Sequence, residues 1–99
     1  LQKKNINLVR SSEEFAFVLQ VDDRNAEALF NLSLIHCELD DYLNFDEAEK
    51  YIKRSLSVDS SQKRAWYLFA LIKSARKDFT ATLNICNTEL SNMVSKDLK

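Results

Sequence analysis

The chain has 99 residues, 45% of them hydrophobic and 29% charged, with 14 basic and 15 acidic side chains for a formal charge of −1. That length holds one domain near the lower limit for an independent core, and the composition is that of a globular chain, not a disordered one. A near-neutral charge gives no electrostatic basis for nucleic-acid binding, and no apolar run approaches the roughly 18 residues needed to span a bilayer.

Neither glycine nor proline occurs. Sheet proteins turn on residues with positive φ, which are mostly glycine. The expectation is therefore an all-α chain whose turns use Asp, Asn and Ser. The first residue is not Met, which points to a piece of a longer chain, and no secretory apolar segment opens it. Cys37 and Cys86 fall inside helical patterns at core-type positions and no CxxC occurs, so a reduced, cytoplasmic setting is expected.

In chain order, residues 1–5 are polar and are expected to fray. Apolar residues then recur at Ile6, Leu8, Val9, Phe15, Val18, Leu19 and Val21, with Phe15, Val18 and Leu19 at the spacing of one helical face. One helix running to about position 20 fits this pattern, while Ser11-Ser12-Glu13-Glu14 could equally open a fresh one. Asn25 can N-cap a helix over 26–39, with Glu27 in its first turn, where the dipole favours an anion. Leu29, Leu32, Ile35, His36 and Leu39 share a face of that helix. After a turn over 40–45, Asp46 is expected to cap a helix over 47–58 whose buried stripe is Ala48, Tyr51, Ile52, Ser55 and Leu56. Helices over 62–75 and 79–94 follow, separated by Lys77-Asp78. Short turns between five helices imply antiparallel neighbours.

The two C-terminal hairpins share a pattern. Leu29-x2-Leu32-Ser33-x2-His36 with Ala48-x3-Ile52 aligns with Trp66-x2-Phe69-Ala70-x2-Lys73 with Thr82-x3-Cys86. Leu29 and Trp66 stand 37 positions apart, whereas Ala48 and Thr82 stand 34 apart, so three extra residues belong to the turn near Leu43-Asn44-Phe45. Extended backwards, the register sets residues 18–22 against 55–59, and the first helix becomes the second half of a truncated repeat. The predicted units are 1–25, 26–61 with the turn insertion, and 62–99 with a C-terminal tail. Small residues (Ser33, Ala70, Ala48) let paired helices approach, and large ones (Leu29, Trp66, Phe69, Ile52) fill the space either side.

Over residues 15–94 this pattern resembles the tetratricopeptide repeat (TPR) family, whose period is about 34 residues. It departs from that family in lacking the terminal Pro, where Ser60 stands, in carrying Thr82 for Ala, and in placing Lys73 at an aromatic position. The resemblance implies tandem antiparallel helical hairpins stacked as a right-handed, TPR-like α-solenoid fragment. More narrowly, Arg64-Ala65-Trp66-Tyr67-Leu68-Phe69-Ala70-Leu71-Ile72-Lys73-Ser74-Ala75-Arg76-Lys77-Asp78-Phe79, followed by Ala81-x-Leu83-Asn84-Ile85-Cys86, resembles a hairpin of the tetratricopeptide repeat protein 7 family. That likeness implies a helical scaffold that holds a phosphatidylinositol 4-kinase at the plasma membrane with a membrane-anchored partner.

Candidate sites each have a plainer explanation beside them. His36 as a ligand or base would need converging partners, and Cys37 lies about 100° away around the helix, so a packed histidine is the better reading. Asp40, Asp41, Asp46, Glu47 and Glu49 lack the order and glycine of a calcium loop and read as a solvated turn and helix start. Lys50, Lys53 and Arg54, and separately Lys73, Arg76 and Lys77, form basic clusters that could meet anionic lipid, or simply sit near helix C-termini. Asn31-Leu32-Ser33 spells a glycosylation sequon but lies mid-helix. TPR domains that clamp a carboxylate present Lys and Asn at the fifth and ninth repeat positions. Here those positions hold Phe30 and Leu34 in one repeat, Tyr67 and Leu71 in the next, which does not fit such a clamp and leaves an apolar face to be covered.

No nucleophile–base pair, phosphate loop or metal constellation is visible, so the expectation is a non-enzymatic interaction scaffold without cofactor, metal or small-molecule substrate. Its candidate partner-binding face is Phe30, Leu34, Tyr67 and Leu71, covered by a helix or peptide of another protein or by neighbouring repeats. The alternatives are spacer repeats within a longer helical protein, or peripheral lipid contact through the basic clusters.

Overall fold

The computed structural model describes residues 2–39 and 45–90, and every regular element among them is helical. Helix α1 spans Gln2–Val21, α2 Ala26–Leu39, α3 Asp46–Val58, α4 Lys63–Ala75 and α5 Phe79–Asn84, which continues as a π-helical segment, Ile85–Leu90. The Asp40 and Asp41 carboxylates, the Leu43-Asn44 part of the insertion and the last residues of the fifth predicted helix lie outside the described residues.

Helix α1 already covers residues 2–5, and Ser11-Ser12 does not start a new helix. The reason is local: the Ser12 hydroxyl donates to the Val9 carbonyl at 2.7 Å, bonding back along the same helix instead of capping a later one. Asn25 does cap α2, its Oδ1 accepting from the Ala28 N–H at 2.9 Å. Asp46, in contrast, is the first residue of α3 and not its cap; Phe45 holds that place without a side-chain cap bond. Its ring is buried at 8% exposure, so packing sets the entry to α3 while Asp46, Glu47 and Glu49 face the positive end of the helix dipole.

Packing directions follow from side-chain bonds. Ser33 Oγ donates to the Ala48 carbonyl at 2.7 Å, and Ser55 Oγ donates to the Ala26 carbonyl at 2.8 Å. Positions thus ascend along α2 as they descend along α3, so the pair is antiparallel. Lys73 meets Glu49 at 3.0 Å and Arg76 meets Asp46 at 3.0 Å, which makes α3 and α4 antiparallel by the same logic. It follows that α2 and α4 run parallel. Each helix packs on its neighbours in sequence, and α2 with α3 form the most extensive pair.

Ser33, Ala48, Ile52, Ser55 and Ala65 have no exposed surface, and the two serines satisfy their hydroxyls across the helix pair. One cluster joins Phe30 and Cys37 from α2, Phe45, Ala48, Ile52 and Leu56 around α3, and Ala65, Leu68 and Ile72 from α4. Leu29, Leu32 and Ile35 are buried as well, so α2 is covered on more than one face. At the end of α4 the chain reverses through Lys77 at φ 64°, with Lys77 N–H bonded to Ser74 O and Asp78 N–H to Lys73 O, each at 2.9 Å. That is a Schellman turn with lysine where glycine is usual. Asp78 then caps α5 through the Ala81 N–H.

Candidate functional site

The parallel helices α2 and α4 leave an apolar groove between them. Phe30 and Leu68 are its buried floor, Leu34 is half-buried beside them, and Tyr67 and Leu71 stand on its rim at 61% and 56% exposure. Leu90 closes one side from the π-helical segment, around a cavity of about 390 Å³. A second cavity of about 320 Å³ shares Leu34, Leu68 and Leu71 and carries the groove on past Cys37 and Phe45 to Ala75. The other side of the Tyr67–Leu71 ridge faces a smaller hollow of about 220 Å³ against Thr82 and Cys86 of the last hairpin.

All four residues of the predicted face therefore meet at one groove, yet not as equals. Helical spacing puts Phe30, Leu34 and Cys37 on one side of α2, and Tyr67 and Leu71 on one side of α4. Phe30 lies under the guanidinium of Arg64, 5.0 Å from its ring centroid, so the ring is covered by a side chain of α4. Of the four, only Tyr67 and Leu71 offer large apolar surface to solvent. Arg64 and Lys63 mark the N-terminal end of the groove and Glu38 the C-terminal end.

Of the acidic residues, Asp46 and Glu47 are exposed at the start of α3, as their position in the sequence implies, and Glu49 is the exception. Glu49 is only 14% exposed in its side chain, with Oε2 accepting from Lys73 Nζ at 3.0 Å and facing Lys53 Nζ at 3.1 Å, while Oε1 faces Arg76 at 3.8 Å. Burial alone would raise its pKa; the lysine hydrogen bonds and charges outweigh that and hold the carboxyl below the usual glutamate value. Lys53, Lys73 and Arg76, three members of the basic clusters, are thereby tied to carboxylates of α3. Lys50 and Arg54 lie against the ring of Tyr51, which also stacks with His36 at 5.4 Å.

Among the described residues no group of His, Cys, Asp and Glu side chains is arranged to hold a metal ion. Cys37 is buried as expected, but Cys86 is exposed, and its neighbour Ile85 is the side chain that packs inward. No helix among the described residues is long and apolar enough to cross a membrane. Comparison with protein-family models, curated proteins and solved structures found nothing that matches this chain.

Proposed function

We propose that this chain is a non-catalytic protein-interaction module, a fragment of a right-handed TPR-like α-solenoid whose α2/α4 groove receives a segment of another protein. The observation that carries the reading is the exposed Tyr67–Leu71 rim beside a preformed apolar floor of Phe30, Leu34 and Leu68. Parallel first helices of successive hairpins, in-phase small residues at Ser33 and Ala70, and helices that pack in sequence order all support the solenoid arrangement. The likeness of the last hairpin to the tetratricopeptide repeat protein 7 family makes the proposed role more specific: a cytoplasmic scaffold that helps hold a phosphatidylinositol 4-kinase at the plasma membrane.

A tagged pull-down of the parent protein from cytosol and detergent-solubilised membranes tests it, run beside Tyr67→Ala/Leu71→Ala. Both substitutions are on the rim, because Phe30 is buried and its loss would confound binding with folding. Retention of a lipid kinase or membrane anchor by the wild type alone supports the scaffold. Equal retention by both assigns the repeats to spacing. That second reading has an observation of its own: Ile6, Val9, Phe17 and Val21 on α1, and Phe79 and Leu83 on α5, are exposed apolar surfaces that further helices of a longer array would cover. Direct lipid contact is the weakest of the three, since Lys53, Lys73 and Arg76 are engaged by Glu49 and Asp46.

A further inference from the structure

We infer that the occupant of the α2/α4 groove is an amphipathic helix of another protein, about three turns long, with carboxylates on the turn that meets Arg64; this rests on the interaction reading above. Length comes first. From Arg64 to Ala75 the groove follows α4 for eleven residue steps, or about 16 Å at the helical rise. The binding mode comes next. The groove walls are side chains of two helices, and no strand edge borders it among the described residues, so affinity has to come from buried side chains, not from main-chain pairing. An apolar stripe on a helix supplies that in three turns.

Charge then sets the chemistry of one end. Because α2 and α4 are parallel, the positive ends of both dipoles lie at the Arg64 end. The first turn of α4 contains no acidic residue, and Gln62 at its cap position is turned away, its amide donating to the carbonyls of Ser55 and Asp59. Lys63 and Arg64 stand there beside Glu27. Among the described residues Arg64 meets the face of Phe30 and no carboxylate. At the opposite end Glu38 adds to the negative ends of the dipoles. A carboxylate-bearing turn is favoured at Arg64, where the positive ends of both dipoles meet a guanidinium, so charge also sets the direction in which the segment lies.

The test pans a displayed random dodecapeptide library against the full chain, then measures selected synthetic peptides against the wild type, Arg64→Glu, Arg64→Gln and Tyr67→Ser/Leu71→Ser, with each variant's helicity checked by circular dichroism. The expected selection has apolar residues at helical spacing and Asp or Glu at one end. Those peptides should lose about tenfold in affinity on Arg64→Glu, a few-fold on the milder Arg64→Gln, and all measurable binding on the double rim variant. Peptides that keep full affinity for both Arg64 variants but lose it on the rim variant overturn the charge inference and leave the groove reading standing. Peptides that ignore the rim substitutions, or a library that yields none, overturn both. Concentration-dependent dimerisation abolished by the rim variant assigns the groove to a second copy of the chain and overturns the proposed occupant.

Discussion

Phe30→Ala and Tyr67→Ala separate a buried floor from an exposed rim, and they do so by stability before any partner is known. Phe30 is 8% exposed and belongs to the cluster that joins α2, α3 and α4, whereas Tyr67 is 61% exposed. Truncating a buried phenylalanine costs about 3–5 kcal/mol, and the low end applies because the open groove lets water relieve part of the cavity. A chain of this size has roughly 5–15 kcal/mol in total, so about 3 kcal/mol removes a large fraction of it. At roughly 4–8 °C per kcal/mol, the midpoint of thermal unfolding should fall by on the order of 15 °C. Tyr67→Ala should stay within about 0.5 kcal/mol of the wild type. Thermal and urea unfolding followed by circular dichroism read both. If Phe30→Ala melts within a few degrees of the wild type, Phe30 is not the floor of the groove and the α2–α4 packing is wrong. If Tyr67→Ala is as damaging as Phe30→Ala, Tyr67 is packed and the rim does not exist.

Four further outcomes are expected. Ser33→Ala should cost about 1 kcal/mol in urea unfolding, because it removes the donor to the Ala48 carbonyl but leaves that oxygen its helical partner. Lys77→Gly should stabilise the chain by about 0.5–1 kcal/mol, since glycine holds φ 64° without the Cβ clash; no gain in melting temperature would contradict the Schellman turn. Glu49 titrates below the ordinary glutamate value in the folded chain, so its contribution is fully present above the unfolded value of 4.5 and is lost as pH falls through the lowered folded value. Wild-type stability should therefore drop more steeply between pH 6 and 3 than that of Glu49→Gln, and parallel pH profiles would sink the assignment. Under native conditions iodoacetamide should modify Cys86 and spare Cys37 until the chain unfolds, with mass spectrometry of the alkylated peptides as the check.

Local signals made much of the fold legible. The lack of glycine and proline excluded a sheet, the Asn25 cap marked the start of α2, and the period of small residues paired Ser33 with Ala48 across one helix interface. The single helix to about position 20 holds, because the Ser12 hydroxyl satisfies itself on the preceding turn and leaves the helix unbroken. Errors arose where local chemistry is ambiguous. Asp46 spells a cap, but a buried aromatic one residue earlier fixed the boundary instead. Cys86 took a core position from the repeat alignment, but the last helix turns Ala81 and Ile85, one turn apart, inward and leaves Cys86 in solvent.

The site was legible as a set of positions and not as a surface. Helical spacing groups Phe30 with Leu34 and Tyr67 with Leu71, because residues one turn apart share a face whatever lies opposite. Which of them remains open depends on a residue of another helix, and no spacing rule within α2 says that Arg64 will lie over Phe30. The same limit hid the role of Glu49, whose i,i+4 neighbour Lys53 was visible in sequence while Lys73 and Arg76 arrive from α4. The two cross-helix arrangements bear on function in opposite ways. Charges on the α3–α4 side compensate one another across that helix pair. On the groove side a cation spreads over an aromatic ring, next to two exposed apolar side chains. A surface so composed gains most from a partner that brings both a carboxylate and an apolar stripe, since each alone would leave the other half of it facing water.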